Sequence, residues 1–205
     1  EWETRPISWR RHRLQEPQGR LRHLTSDEAE KLLNALPAHI RAIVEFALLT
    51  GCRKGEILSL KWDEVNLPER SVQVDGKTGK RQVYLSDRSF VLLANMPRSD
   101  TSVFDATNLR KHFERARDAA GIRDFRFHDI RHTHATWMRQ AGTPIEIVQQ
   151  SLGHASIRMT MRYAHIGRDE VRDAVQKIGT KTGTLGRSDR KQVINQSLKG
   201  PSGSV

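Results

Sequence analysis

The stretch FRFHDIRHTHATWM, residues 125–138, packs three histidines and two arginines into a short run. His128 and His132 stand four apart with Asp129 between them. That is the spacing of a two-histidine metal helix, except that such helices carry a glutamate where this one has Asp129. His128 and Arg131 stand three apart, so a helix puts them on one face. A guanidinium beside an imidazole suits an anion and repels a dication. A zinc site would also need a third ligand and a base, and aspartate is shorter than the usual glutamate. Ile130, His134, Trp137, Met138 and Ala141 follow helical spacing, which puts His134 in or near the core. His128 falls near the expected helix start, where free N–H groups and the dipole favour an anion. The anion reading is therefore preferred over the metal reading.

Composition points the same way. The formal charge is +11, from 35 basic and 24 acidic residues. An excess of this size points to nucleic acid or an anionic membrane as partner. No apolar run approaches the ~20 residues a membrane span needs, and no signal peptide is visible. With 36% apolar residues, a core can form. The single cysteine, Cys52, excludes an internal disulfide and fits a reducing compartment such as the cytoplasm. The sequence starts at Glu1, not Met, and reads as a piece of something longer.

Charge and pattern divide the chain into three. Residues 1–24 hold six arginines against three glutamates with no clear period, and read as a basic arm or linker. From Gly179 the sequence GTKTGTLGRSDRKQVINQSLKGPSGSV reads as a flexible basic tail, 179–205. Residues 25–178 form the expected globular unit. Within it, Thr25 and Glu28 are spaced as a capping box. Ile40, Ile43, Val44, Ala47 and Leu48 make a helical stripe that Gly51 stops. A short helix follows through RKGEILSL. SVQV and RQVYL alternate around DGKTGK as a β-hairpin. Helices are expected at about 87–95, 106–120 and 129–141. TPIE, residues 143–146, reads as a second capping box with Pro144 at the first helical position. That helix ends at Gly153, and Ser156 caps the next, which carries Tyr163. The expected fold class is mainly α with a small antiparallel β-sheet.

Two further stretches extend the cluster. TGCRKGE, residues 50–56, places Arg53 just past a helix stop. SLGHASIRMTMRYAHI, residues 151–166, places His154 after a glycine and Tyr163 nine residues later. Taken together, the order Arg53, His128-x-x-Arg131, His154, Tyr163 resembles the catalytic domain of the tyrosine recombinase (phage integrase) family, over about residues 21–177. Two arginines can fork onto the non-bridging oxygens of a phosphodiester and stabilise the charge that develops on attack. The resemblance implies that Tyr163 is the nucleophile and forms a covalent 3′-phosphotyrosyl link. It implies that His128 and His154 donate hydrogen bonds, one of them assisting proton transfer. It also implies a hairpin lysine that protonates the leaving 5′ oxygen, with Lys77 the candidate and Lys80 its rival. No metal, ATP or other cofactor is implied. The implied partners are double-stranded DNA, a homotetramer on paired sites and accessory DNA-bending proteins. Family members carry a separate helical DNA-binding domain ahead of this one, so weak, salt-sensitive DNA affinity is expected.

Taken singly, each residue has a plainer reading. Arginines in a basic protein are mostly solvated, and a histidine after a glycine is usually a loop or cap residue. Lys77 could be a solvated turn lysine. Glu56, three after Arg53, reads as ion-pair support and His132 as a neighbour of the site. Tyr84 reads as a packing residue. Tyr163 lies off the stripe Ile157, Met161, Ala164, which suggests a side chain free to reach DNA.

Overall fold

The computed structural model describes residues 21–76, 79–98 and 100–166. Among these residues, eight α-helices and three strands follow in order: α1 Ser26–Ala35, α2 Ala38–Thr50, α3 Lys54–Leu58, β1 Val65–Asn66, β2 Ser71–Gly76, β3 Gly79–Tyr84, α4 Asp87–Ala94, α5 Leu109–Ala119, α6 Asp129–Gln140, α7 Ile145–Leu152 and α8 Ile157–Thr160. The strands form one antiparallel sheet in the order β1-β2-β3. The fold is mainly helical with a small antiparallel sheet, as the sequence pattern predicts.

Helix α1 starts where Thr25 and Glu28 cap each other's backbone N–H groups, an arrangement worth about 1 kcal/mol. Helix α2 is the core's axis and packs against α1, α4, α5 and α6. Its stripe Ile40, Ile43, Val44, Ala47 and Leu48 is buried, joined by Phe46, whose ring lies 5.2 Å from that of Phe104. Gly51 closes the helix in the left-handed region, φ 64°. Helix α6 enters the core carrying polar side chains. Thr133 Oγ1 donates to the Asp129 carbonyl and accepts from the Leu24 N–H. The Trp137 indole donates to the Leu24 carbonyl, so α6 also anchors the start of the described chain.

Three local expectations are revised. Helix α5 begins at Leu109, not near 106, because the Asp105 carboxylate takes the Thr107 N–H at 2.9 Å and holds a turn there. The TPIE capping box does not form. Pro144 is itself the N-cap, so Thr143 and Glu146 stand outside the N-cap and N3 positions. The Thr143 backbone instead closes α6, its N–H donating to Met138 and its carbonyl accepting from Arg139 Nη1. Strand β1, two residues long, was too short to show a period. Tyr84 is not a packing residue but is 74% exposed. Strand parity explains this: Arg81 and Val83 face inward opposite Val74 and Val72, so Tyr84 faces out.

Candidate active site

The site gathers three segments that are far apart in sequence. Arg53 is the N-cap of α3, just beyond the Gly51 turn that ends α2. His128 is the N-cap of α6, and Arg131 and His132 lie in its first turn. His154 follows Gly153, the left-handed C-cap of α7. Tyr163 ends a 3-10 turn, Met161–Tyr163, that continues α8.

Arg131 ties these segments together. It is 5% exposed. Its Nη1 donates to the Gly51 carbonyl at 2.7 Å, and its Nη2 donates to the Leu152 carbonyl. One guanidinium thus fixes the turn before Arg53 to the turn before His154. Arg53 adds a second tie, Nη2 to the Gly153 carbonyl at 3.4 Å. Glu56 holds Arg53 twice, through its backbone N–H at 2.8 Å and through Nη1 at 2.7 Å. Glu56 therefore supports the arginine, as read from its i+3 spacing. A guanidinium has five N–H donors. Arg131 gives two of them to backbone carbonyls.

The histidines divide by role. His154 Nδ1 meets Thr160 Oγ1 at 2.8 Å, and its carbonyl accepts from the Gln149 side chain. The His128 and His132 rings stand edge to face, 5.2 Å apart. His132 Nδ1 is hydrogen-bonded to the Tyr163 hydroxyl. Asp129 accepts the Arg126 N–H at 2.8 Å, a backbone role at the helix start. Among the described residues, no group of three or more His, Cys, Asp or Glu is placed to hold a metal ion. His134 bonds the Leu48 carbonyl at 2.9 Å from its packed position, as its spacing predicts.

A sequence profile of the phage integrase family matches residues 22–170. The chain belongs to the phage integrase family. It is 29% identical over 206 residues to the integrase of Salmonella phage P22, covering 87% of this chain and 53% of that one. It is 30% identical over 158 residues to the tyrosine recombinase XerA of Saccharolobus solfataricus, covering 73% of this chain and 54% of that protein. The chain thus spans about half the length of these relatives. The catalytic domain of bacteriophage HP1 integrase superposes with a TM-score of 0.65 at 29% identity, over 75% of this chain and 93% of that domain. XerH recombinase, solved bound to its difH substrate in a pre-cleavage complex, gives 0.60 at 27% identity, over 75% and 53%.

Two features of this integrase-family site depart from the sequence reading. Tyr163 is buried, 1% exposed, and not free as its position off the assumed stripe suggests. Met161 and Ile157, of the assumed stripe, are exposed instead. The reason is local: α8 is four residues long and passes into a 3-10 turn, in which residues i and i+3 eclipse. Thr160 and Tyr163 therefore share one face, and that face turns inward. The second is Arg81, to which the sequence reading gave no role. Its Nη2 donates to Glu56 Oε2 at 2.8 Å and its Nη1 to the Ser151 carbonyl at 3.0 Å. Its signal lay in β3 parity, which puts it on the same face as Val83.

Lys77 lies outside the described residues. Gly76, just before it, lies against the arginine pair: a Cβ there would come within 2.6 Å of Glu56 Oε1 and 3.6 Å of Arg53 Nη1. Lys80 is exposed and opposite Asp75 in the ladder.

Burial sets the protonation of the site. It pushes the Tyr163 phenol up to about 12, against the pull of Arg162 and Arg131. Burial, with Arg53 nearby, brings Arg131 down to about 10, so it stays cationic at neutral pH. Burial of His128 and the neighbouring Arg131 charge lower its pKa. Burial also brings His132, His134 and His154 down to about 4, from an ordinary value of 6.5. These three fold in the neutral form. Above pH 6.5 neither state binds their protons, and their contribution to stability is whole. Between 6.5 and about 4 the unfolded chain takes up protons that the folded chain refuses, so stability falls as pH falls. Burial opposes the charge on Glu56, but the bonds from Arg53 and the charges of Arg81 and Arg53 win and hold it below the usual carboxylate range. Its contribution is lost only at lower pH, below about 4.5. The urea midpoint is therefore expected to be level from pH 8 to 7 and to drop steadily from 6.5 to 4.5. An unchanged midpoint at pH 5 would mean that these imidazoles are not buried neutral.

Proposed function

We propose that this chain carries the DNA-breaking and rejoining site of a tyrosine-type site-specific recombinase. The observation that carries the reading is the Arg131 guanidinium, bonded at once to the turns that present Arg53 and His154. That linkage supports a site in which two arginines and the histidine after the α7 turn serve one phosphodiester, as an in-line attack requires.

The Tyr163 phenol oxygen attacks phosphorus and its proton passes to His132 Nδ1, the atom it already touches. The P–O5′ bond breaks and a 3′-phosphotyrosyl bond forms. Arg53 and Arg131 bond the non-bridging oxygens, with His154 and His128 as further donors. The departing 5′ oxygen takes a proton from Lys77. The new ester keeps the energy of the broken one, so a 5′ hydroxyl can reverse the step without ATP. No part of this scheme calls for a metal ion, since the guanidinium groups supply the positive charge.

The substrate in this reading is double-stranded DNA, in keeping with the +11 charge and the DNA-bound state of XerH. The division into a 1–24 arm, a 25–178 catalytic unit and a 179–205 tail belongs to the same proposal. So do assembly as a homotetramer on paired sites, help from DNA-bending proteins and a cytoplasmic setting. Among the described residues no helix is long and apolar enough to cross a membrane.

Covalent trapping tests it. The protein is incubated with supercoiled plasmid in EDTA, quenched with SDS and examined for protein-linked DNA. Adducts are expected. DNA binding without adducts, together with one metal ion bound per chain, would point instead to His128 and His132 as ligands.

The leaving-group lysine has its own test. Lys77→Ala is expected to cleave an ordinary duplex slowly but to recover on a substrate with a bridging 5′ sulfur, whose departure needs no proton. If Lys80→Ala shows that pattern instead, the acid is Lys80.

A further inference from the structure

Arg81 takes no part in the chemistry above, yet it touches both supports of the site. We infer that Arg81 is a positioning residue. It holds Glu56 and the carbonyl end of α7 so that Arg53 and His154 face one phosphate. This inference rests on the reading of the site as DNA-cleaving.

Its location is unusual for an arginine. In β3 it pairs with Val74 and shares the inward face with Val83, both core residues. Its side chain is 14% exposed, and among the described residues its Nε is buried without a partner. A buried cation with an unpaired donor is a poor source of stability. A buried ion pair is weak evidence for a stabilising role, so stability alone does not account for the residue.

Its contacts do. The last turn of α7 offers three successive carbonyls that lack helical partners. Ser151 accepts from Arg81, Leu152 from Arg131 and Gly153 from Arg53. The negative end of the helix thus sets the spacing of three guanidinium groups, and the next residue is His154. Arg81 also wedges the turn itself. A Cβ on Gly153, at φ 60°, would fall 2.5 Å from Arg81 Cδ and 2.6 Å from its Nε, so the stem of Arg81 lies on the backbone that presents His154.

The electrostatics are as specific. Glu56 Oε1 accepts from the Arg53 guanidinium at 2.7 Å, and Oε2 accepts from Arg81 Nη2 at 2.8 Å and from the Arg53 backbone N–H at 2.8 Å. With Arg81 present, the carboxylate is shared and Arg53 keeps donors and charge for the phosphate. With Arg81 gone, the whole carboxylate charge falls on Arg53 and competes with the substrate.

The test is the rate of adduct formation by the full chain on saturating supercoiled plasmid, alongside DNA affinity and thermal melting. Arg81→Met is expected to slow adduct formation on the order of 10²-fold, the effect of a small misplacement of reacting groups, with DNA affinity little changed. Adding Glu56→Gln is expected to recover about tenfold of that loss, the coupling seen within one ion-pair network. Arg81→Lys, which keeps the charge but not the fork, should fall between. A purely structural role would lower the melting point and give no recovery with Glu56→Gln; that outcome overturns the inference, as does a rate within about twofold of wild type, a change of under 0.5 kcal/mol. Should Arg81→Met fail to fold, Arg81→Gln carries the same comparison. If the wild type itself forms no adducts, the cleavage reading fails. Orthovanadate binding by calorimetry then decides Arg81 separately: weakened binding restored by Glu56→Gln supports it, and unchanged binding removes it.

Discussion

Tyr163→Phe is expected to form no covalent adducts with supercoiled DNA, while its affinity for that DNA stays near that of the wild type. The substitution removes one oxygen, the nucleophile of the proposed step, and leaves the ring that fills its place. Because Tyr163 is buried, its ring packing carries over to phenylalanine with little change. Its hydroxyl, however, is the partner of His132 Nδ1. Losing it leaves a buried ring nitrogen unpaired, which costs roughly 1–3 kcal/mol. The variant should therefore melt lower than the wild type yet remain folded at 25 °C. The assay is the SDS quench, read beside a binding titration at fixed salt, since phosphate contacts are salt-dependent. Adducts that survive in Tyr163→Phe would mean that another group attacks, and the assignment of Tyr163 would be wrong.

The second large effect is expected at Arg131. Arg131→Ala should slow cleavage by at least about 10²–10³, the usual loss when one donor to a developing oxyanion is removed. It should also destabilise the protein. The Gly51 and Leu152 carbonyls lose a charged donor, and a buried side chain of this size leaves a cavity. Together these predict a loss of several kcal/mol, on the scale of the larger single-site effects. Arg131→Lys separates the two contributions. It keeps a positive charge but cannot fork to both carbonyls and the phosphate. Its stability should recover more than its rate does. Chemical denaturation and single-turnover adduct formation measure the pair. A rate loss below tenfold in a folded Arg131→Ala would take Arg131 out of the site and leave it a structural staple.

Burial ties these expectations to pH. The histidines around Tyr163 are held neutral, and a pKa of about 4 leaves His132 only a weak base toward the phenol in the resting protein. The same burial makes the phenol hard to ionise in the resting protein. The proton must therefore move as the phosphorus–oxygen bond forms, in the presence of the two arginines.

Much of this protein can be read from its sequence, because the relevant signals are local. The Thr25–Glu28 cap, the α2 stripe ending at Gly51, the β2–β3 alternation and the Ser156 cap each depend on residues a few positions apart. The order of Arg53, His128, Arg131, His154 and Tyr163 is likewise linear information, and it is enough to mark the family. The packing of His134 followed from helical spacing alone.

What only the tertiary structure decided depends on contacts between distant segments. No period in the sequence says that Arg131 bonds the carbonyls of Gly51 and Leu152, 80 and 21 residues away. The inward turn of Tyr163 follows from a four-residue helix tightening into a 3-10 turn, a change of phase too short for periodicity to register. His132 became the partner of the phenol only through that turn. Arg81 is the clearest case. In β3 it stands at an apolar position of the alternation, where its charge gives no sign of a partner. Its meaning comes from Glu56 and the end of α7, 25 and 70 residues away, where helix-end carbonyls and a carboxylate make an inward-facing cation favourable. Local sequence sets which elements form and which faces they bury. Where a charged side chain ends depends on which unpaired polar groups the folded chain brings to it.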